Sequence, residues 1–282
     1  VKQLSFAAAQ VERYDRDRYM TAVLAPPAYR EFLMALYAFN IEIAKTAEIV
    51  SEPVLGQIRL QWWRETLDRL YAGESVAHPI AGPLGRAITA RGLGRRDLDR
   101  LIDARETDLD RSPPPNLPTL TLYAQGVGGA LLSLAVQALL DEPTLDPETD
   151  QAARLVGTAW ALTGLLRAVP FHARQRRLYL PLDLLQAAEV RPHRVFDMTP
   201  DSGLPDVVRQ VALVSSQLLE TAAPLIRTVA AQGRSPLILA ELARWHLRDL
   251  RRARWNPFVL ATRPAAPFRF PALALQAIVK RY

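Results

Sequence analysis

Apolar positions recur every three and four residues along nearly the whole chain, and runs that alternate apolar and polar are nearly absent. That period is helical. It predicts a helix over 28–50 after "APP", with Pro27 near its first turn, and a second from Pro53 to Gly73. Shorter helices follow over 79–91 and 94–110, split by "RGLG". "RSPPPNLP" reads as a loop, because successive prolines cannot continue a helix. The pattern resumes over 119–140, an apolar helix containing "GVGG", and over 147–171, stopping near Pro170. "RRLYLPLDLL" leads by a short extended link into a brief helix, and 191–204 reads as a loop. Helices over 205–231 and 235–255 and a last short one over 271–281 complete the chain. Connections are short and no repeat is present, so the expectation is all-α, with residues 1–282 as a single domain.

Composition narrows the chemistry. Without cysteine, disulfides and thiolate sites are excluded, and the histidines (His78, His172, His193, His246) are too scattered for a zinc motif. The net charge of +6 comes almost wholly from arginine, since Lys2, Lys45 and Lys280 are the only lysines. Such a surface favours phosphates, anionic lipid or an acidic partner. Heavy use of Arg, Ala, Leu and Pro suggests a GC-rich bacterial source. No uninterrupted apolar run approaches the ~20 residues of a membrane span, and the first residues lack a signal-peptide core. The expected location is cytoplasmic, with peripheral contact at the inner membrane of a bacterium.

Two helix faces carry candidate chemistry and together give nine candidate pocket residues. Tyr37, Ile41, Ala44 and Glu48 share one face, with Lys45 at its edge; Trp160, Gly164, Ala168 and His172 share another. Beyond Pro170 the chain becomes basic, with Arg167, Arg174, Arg176 and Arg177 as a candidate anion-binding cluster. Plainer readings stand beside these. Glu42, Lys45 and Glu48 suit a solvated face with a Glu48–Lys45 pair, and the arginines suit a helix C-terminus. "QWWRE" suits an aromatic core pair, and "GVGG" close helix packing.

Four segments, "YREFLMALYAFN", "IRLQWWRETLDRLYAG", "LYAQGVGGALL" and "GTAWALTGLLRAVPFHARQRRLYLPLDLL", resemble the squalene/phytoene synthase family in order and spacing over roughly residues 14–260. The resemblance implies the prenyltransferase (isoprenoid synthase) fold, helices around a central cavity with two aspartate-rich motifs facing across it. The first motif's register falls on Ala44, Lys45 and Glu48, so one acid remains. In the second, Gly164 stands for an Asn, Ala168 for the first Asp, and Phe171 and His172 for the last two acids. Arg174 and Arg177 match arginines of the family's "RRGRxYLP" segment, while Arg176 replaces its glycine.

Ionising an allylic diphosphate requires Mg²⁺ held by carboxylate oxygens in near-octahedral geometry. Glu48 alone does not supply them, and Lys45 repels the metal. The expectation is therefore no catalytic residue, no metal and no cofactor, with Mg²⁺ only if a prenyltransferase activity survives. "FNIEIAKTAEIVSEP", "LRAVPFHARQRRLYLP" and "ARWNPF" resemble the family branch containing the mitochondrial complex I assembly factor and its bacterial relatives. That branch implies a role in assembling NADH:ubiquinone oxidoreductase, with complex I subunits or assembly intermediates as partners. The alternative is an enzyme or binder acting on an isoprenoid diphosphate or other lipid-like ligand. Nucleic acid is a poor fit, because the arginines lack an aromatic platform. "ARWHLRDLRRARWNPF" adds Arg244, Arg248, Arg251 and Arg252 beside Trp245 and Trp255, a candidate contact with anionic membrane.

Overall fold

The computed structural model describes residues 4–142 and 144–262. It is all-α, with no strand among the described residues. In chain order the helices are α1 (Phe6–Tyr14), α2 (Arg16–Leu24), α3 (Arg30–Ala44), α4 (Thr46–Ile49), α5 (Pro53–Tyr71), α6 (Ala81–Arg91), α7 (Arg95–Glu106) and α8 (Leu117–Ala124). They continue as α9 (Ala130–Gln137), α10 (Pro147–Arg167), α11 (Val169–Arg174), α12 (Leu182–Ala187), α13 (Pro192–Phe196), α14 (Leu204–Thr228), α15 (Leu239–Arg252) and α16 (Pro257–Ala261). The stretch 271–281, expected as a last helix, lies outside the described residues.

The helix starts follow from local chemistry. Asp146 accepts a hydrogen bond from the Thr149 amide at 2.9 Å, and Pro147 brings a fixed φ and no N–H to lose. Asn116 caps α8 in the same way through Thr119. Two further helices, α1 and α2, occupy a region where the apolar pattern is too short to stand out; Ser5 and Asp15 cap them. Residues 191–204, expected as a loop, include the five-residue α13.

Three long expected helices are each broken. The 28–50 helix stops at Ala44 and restarts as α4. The 147–171 helix breaks at Ala168, and α11 carries on past Pro170 to Arg174, with the proline in its first turn. Between α8 and α9 the backbone widens into a π turn over Gln125–Gly129. The glycines there serve packing: a Cβ on Gly128 would lie 2.2 Å from the Gly157 carbonyl oxygen of α10. Close helix packing is what "GVGG" provides.

α3 is the central element, buried without interruption from Leu33 to Ile41. α10 runs along α14 and is flanked by α9 and α15, while α1 and α6 cover α3. The apolar core is continuous from Ala7 to Leu250. Leu117–Gln137 is long and apolar enough to cross a membrane, contrary to the expectation from run length, yet 67% of its apolar window is buried in the bundle.

Candidate functional site

The sequence-derived positions on α3 and α4 divide by environment. Tyr37 is fully buried and its hydroxyl is pushed up to about 12, mainly by that burial, with Arg18 and Thr21 opposing. Ile41 is buried beside it on the same helix face, and Ala44 is half-buried. Lys45 sits at the break between α3 and α4, and its ammonium lies 2.9 Å from the centroid of the Tyr14 ring on α1. That contact replaces the expected pair with Glu48, which is exposed. Glu42 instead accepts from Arg59 of α5 at 2.6 Å.

On α10, Trp160 is buried and packs 5.9 Å from His246 of α15. One turn on, Gly164 faces open space: a Cβ there would meet no heavy atom within 4 Å. Ala168 forms the break before α11, and Phe171 is exposed at its surface. His172 lies 4.7 Å from the Tyr179 ring. Burial pushes its imidazole down to about 4, with Arg177 and Arg105 adding to the effect and Asp108 opposing it, so the ring is neutral at pH 7.

The four candidate anion-binding arginines differ in environment. Arg174 and Arg176 are exposed, and Arg176 holds a left-handed φ of 54°. Arg167 is half-buried at the end of α10. Arg177 is buried and turned inward, where its guanidinium donates to the carbonyl oxygens of Asp108 and Ala47. Those contacts direct Arg177 to the protein backbone rather than to an outside anion.

Asp108 is the centre of a polar knot that the sequence pattern does not reveal. Its buried carboxylate accepts from Tyr179 Oη at 2.9 Å and from Arg105 Nη1 at 3.2 Å. Arg105 also donates to Tyr123 Oη at 2.8 Å, and the Tyr123 and Tyr179 rings stack at 5.7 Å. Burial, reinforced by Asp108, raises the Tyr179 phenol well above its ordinary range, so it stays a donor. The only sequence signal is "ETDLD" just before the prolines, a pattern with many solvated counterparts.

Asp108, Tyr123 and Tyr179 of this knot line a cleft of about 1360 Å³ along α7, α8 and α10, together with Arg100, Leu122, Arg154 and Thr158 among others. None of the nine sequence-derived pocket residues lines it. The reason is helical geometry: Thr158 and Trp160 are two residues apart and point to roughly opposite sides of α10.

Magnesium does not fit the family's two acidic registers here. They present one exposed carboxylate at Glu48, an ammonium seated on an aromatic ring at Lys45, a methyl at Ala168 and a neutral imidazole at His172. That donor set cannot replace the oxygen shell of a hard cation. Among the described residues no three His, Asp or Glu side chains come together as metal ligands.

The helices and their order define the class: an all-α isoprenoid synthase fold. A crystal structure of a dehydrosqualene synthase superposes with a TM-score of 0.83 at 17% identity, covering 98% of this chain and 96% of that one. A squalene synthase from Alicyclobacillus acidocaldarius superposes with a TM-score of 0.78, also at 17% identity, covering 89% and 94%. The chain belongs to the squalene/phytoene synthase family, which matches residues 11–269. Its relatives include proteins with two kinds of name. "NADH dehydrogenase (ubiquinone) complex I, assembly factor 6" of Bos taurus is 31% identical over 79% of this chain, which spans 66% of that protein's length. The Mus musculus protein of the same name is 28% identical over 96% of this chain and 81% of its own. A presqualene diphosphate synthase from Sinorhizobium fredii is 29% identical over 69% and 68%.

Proposed function

We propose that this chain is a squalene/phytoene synthase-like protein that acts in assembly of respiratory complex I, NADH:ubiquinone oxidoreductase, and does so without metal-dependent prenyl transfer. The observation that carries this reading is Lys45: the cation at a metal-ligand register is seated on Tyr14, where it opposes Mg²⁺. Ala168 and His172 support it from the other register, and the relatives named as complex I assembly factors support the partner. Complex I subunits or assembly intermediates are the proposed partners.

A second reading is favoured by one feature. Gly164 faces open space beside Trp160, as a binder of an isoprenoid diphosphate or other lipid-like ligand requires. Under it, Ala44, Lys45, Glu48, Gly164, Ala168 and His172 line the ligand's cavity, and Arg174 and Arg176, which are exposed, face its anionic end. Either reading includes a bacterial cytoplasmic location with peripheral contact to an anionic membrane. Arg248, Arg251 and Arg252 are exposed on α15 and suit such contact, whereas Arg244 is drawn inward to Glu241 and the Leu219 carbonyl.

Deletion in the host tests the first reading. Assembled complex I on native gels and NADH:ubiquinone activity are expected to fall, and a plasmid copy carrying Glu48→Ala is expected to restore both. Unchanged complex I in the deletion strain would refute it.

A further inference from the structure

α5 presents an apolar ridge to the outside. Val54, Leu55, Ile58 and Trp62 are 50%, 47%, 61% and 40% exposed and fall at helical spacing on one face, and Ile49 of the adjoining α4 is 58% exposed. Apolar side chains scattered singly over a surface need no explanation, but five on neighbouring helical turns do. Trp62 is braced from below, its ring 4.9 Å from Trp63 and 5.2 Å from His78, so the indole is held at the surface.

A cation-bearing segment is tied to the α4 end of this ridge. Arg177 Nη2 donates to the Ala47 carbonyl oxygen at 3.1 Å, which ties the turn after α11 to α4. The end of α11 and that turn carry the exposed Arg174 and Arg176, and among the described residues neither has an ion-pair partner. Arg176 adopts its left-handed φ although glycine bears that conformation without strain. Glu48 and Glu52 are exposed at the same edge and temper the positive charge.

We propose that the outer face of α5, together with Ile49 and the Arg174–Arg176 turn, is the surface by which this protein lies on an anionic lipid bilayer. None of the ridge's five apolar residues lines the cleft along α7, α8 and α10. Apolar side chains with a tryptophan at their edge and arginines alongside match the headgroup boundary of a membrane. α15 lacks that apolar part: Leu247 is buried and Trp245 packs against the core. The inference rests on the peripheral-membrane reading and assigns it a surface.

Flotation of the purified protein with vesicles of phosphatidylcholine and phosphatidylglycerol tests it, with phosphatidylcholine alone as the comparison. Wild type is expected to float with the anionic vesicles and to lose binding as salt rises. L55Q/I58Q is expected to bind about tenfold more weakly with helicity and melting temperature unchanged, since both side chains already face water. R174E/R176E should lose the preference for anionic vesicles. A blue shift of tryptophan emission on binding should shrink in Trp62→Phe, which reads the same contact without removing an aliphatic side chain. If wild type floats and L55Q/I58Q floats equally, while R248E/R251E does not, the contact lies on α15 and this assignment is overturned. If wild type floats with neither vesicle, membrane attachment itself falls.

Discussion

Arg177 and Ala47 are 130 residues apart, and the guanidinium of the first donates to the carbonyl oxygen of the second at 3.1 Å. The same guanidinium also donates to the Asp108 carbonyl oxygen, so one buried cation fastens α4, the end of α7 and the turn after α11. Hydrogen bonds from a charged donor contribute about 1.5–3 kcal/mol each. Arg177→Ala is therefore expected to destabilise the fold by about 3 kcal/mol in urea titration. Arg177→Lys should recover little, because one ammonium cannot serve two diverging carbonyls. Arg174→Ala should stay within about 0.5 kcal/mol of wild type, as an exposed side chain should. Arg176→Gly should be neutral or stabilising by up to ~1 kcal/mol, since the left-handed φ suits glycine. Equal losses at Arg174 and Arg177 would mean that the inward clasp is not what holds these segments.

A second prediction concerns the crossing of the π turn and α10. A Cβ on Gly157 would lie 2.2 Å from the Gly128 carbonyl oxygen, and the obstacle is backbone rather than a movable side chain. Gly157→Ala is expected to lower stability by about 1–3 kcal/mol despite alanine's better helix propensity. Gly164→Ala on the same helix should be stabilising by up to about 1 kcal/mol, because its Cβ enters open space. Thermal melts of the two variants should move in opposite directions, and a shared direction would contradict the packing described.

Much of the architecture is legible because it rests on local chemistry: Asp146 before Pro147, Asn116 ahead of α8, and Pro53 at the start of α5. The breaks at Lys45 and Ala168 are not, since both flanking segments keep a helical period. The candidate site is less legible still. Arg174, Arg176 and Arg177 form one basic run in sequence, but the left-handed residue at Arg176 turns the chain, so only the last points inward. Lys45 finds its ring partner on α1, thirty-one residues earlier by numbering from Tyr14, a contact no spacing rule encodes. The Asp108 knot joins residues from 105 to 179, and only the fold brings them together.

His172 supplies a pH prediction. Its folded-state value is about 4 against an ordinary 6.5. Between those values the unfolded chain binds the proton more readily than the folded one, so stability rises with pH there. The neutral ring's contribution is fully present above about 6.5 and is lost as pH falls toward 4. The full shift corresponds to about 3 kcal/mol. Glutamine at this position cannot titrate, so the stability difference between wild type and His172→Gln should change by about that amount between pH 7 and pH 4. Urea midpoints across that range measure it. A constant difference would show that the ring is not held in its neutral form.

The last prediction addresses the reaction associated with the family. Purified protein incubated with farnesyl or geranylgeranyl diphosphate and Mg²⁺ is expected to form neither squalene nor phytoene. The physical reason lies in the donor set, not in the fold. Diphosphate departure needs divalent charge held close to it by several carboxylate oxygens. Here the two registers offer the exposed Glu48 as their one acid, and Lys45 brings positive charge to a position where the metal needs an anion. Glu48→Ala should therefore leave the product chromatogram as blank as wild type, and EDTA should change nothing. Restoring one acid, as in Ala168→Asp, should not create activity either, because the other register still offers only Glu48 and keeps the cation at Lys45. Wild-type product that disappears with EDTA would place a working metal site elsewhere in the chain and overturn the assembly-protein reading in its non-enzymatic form.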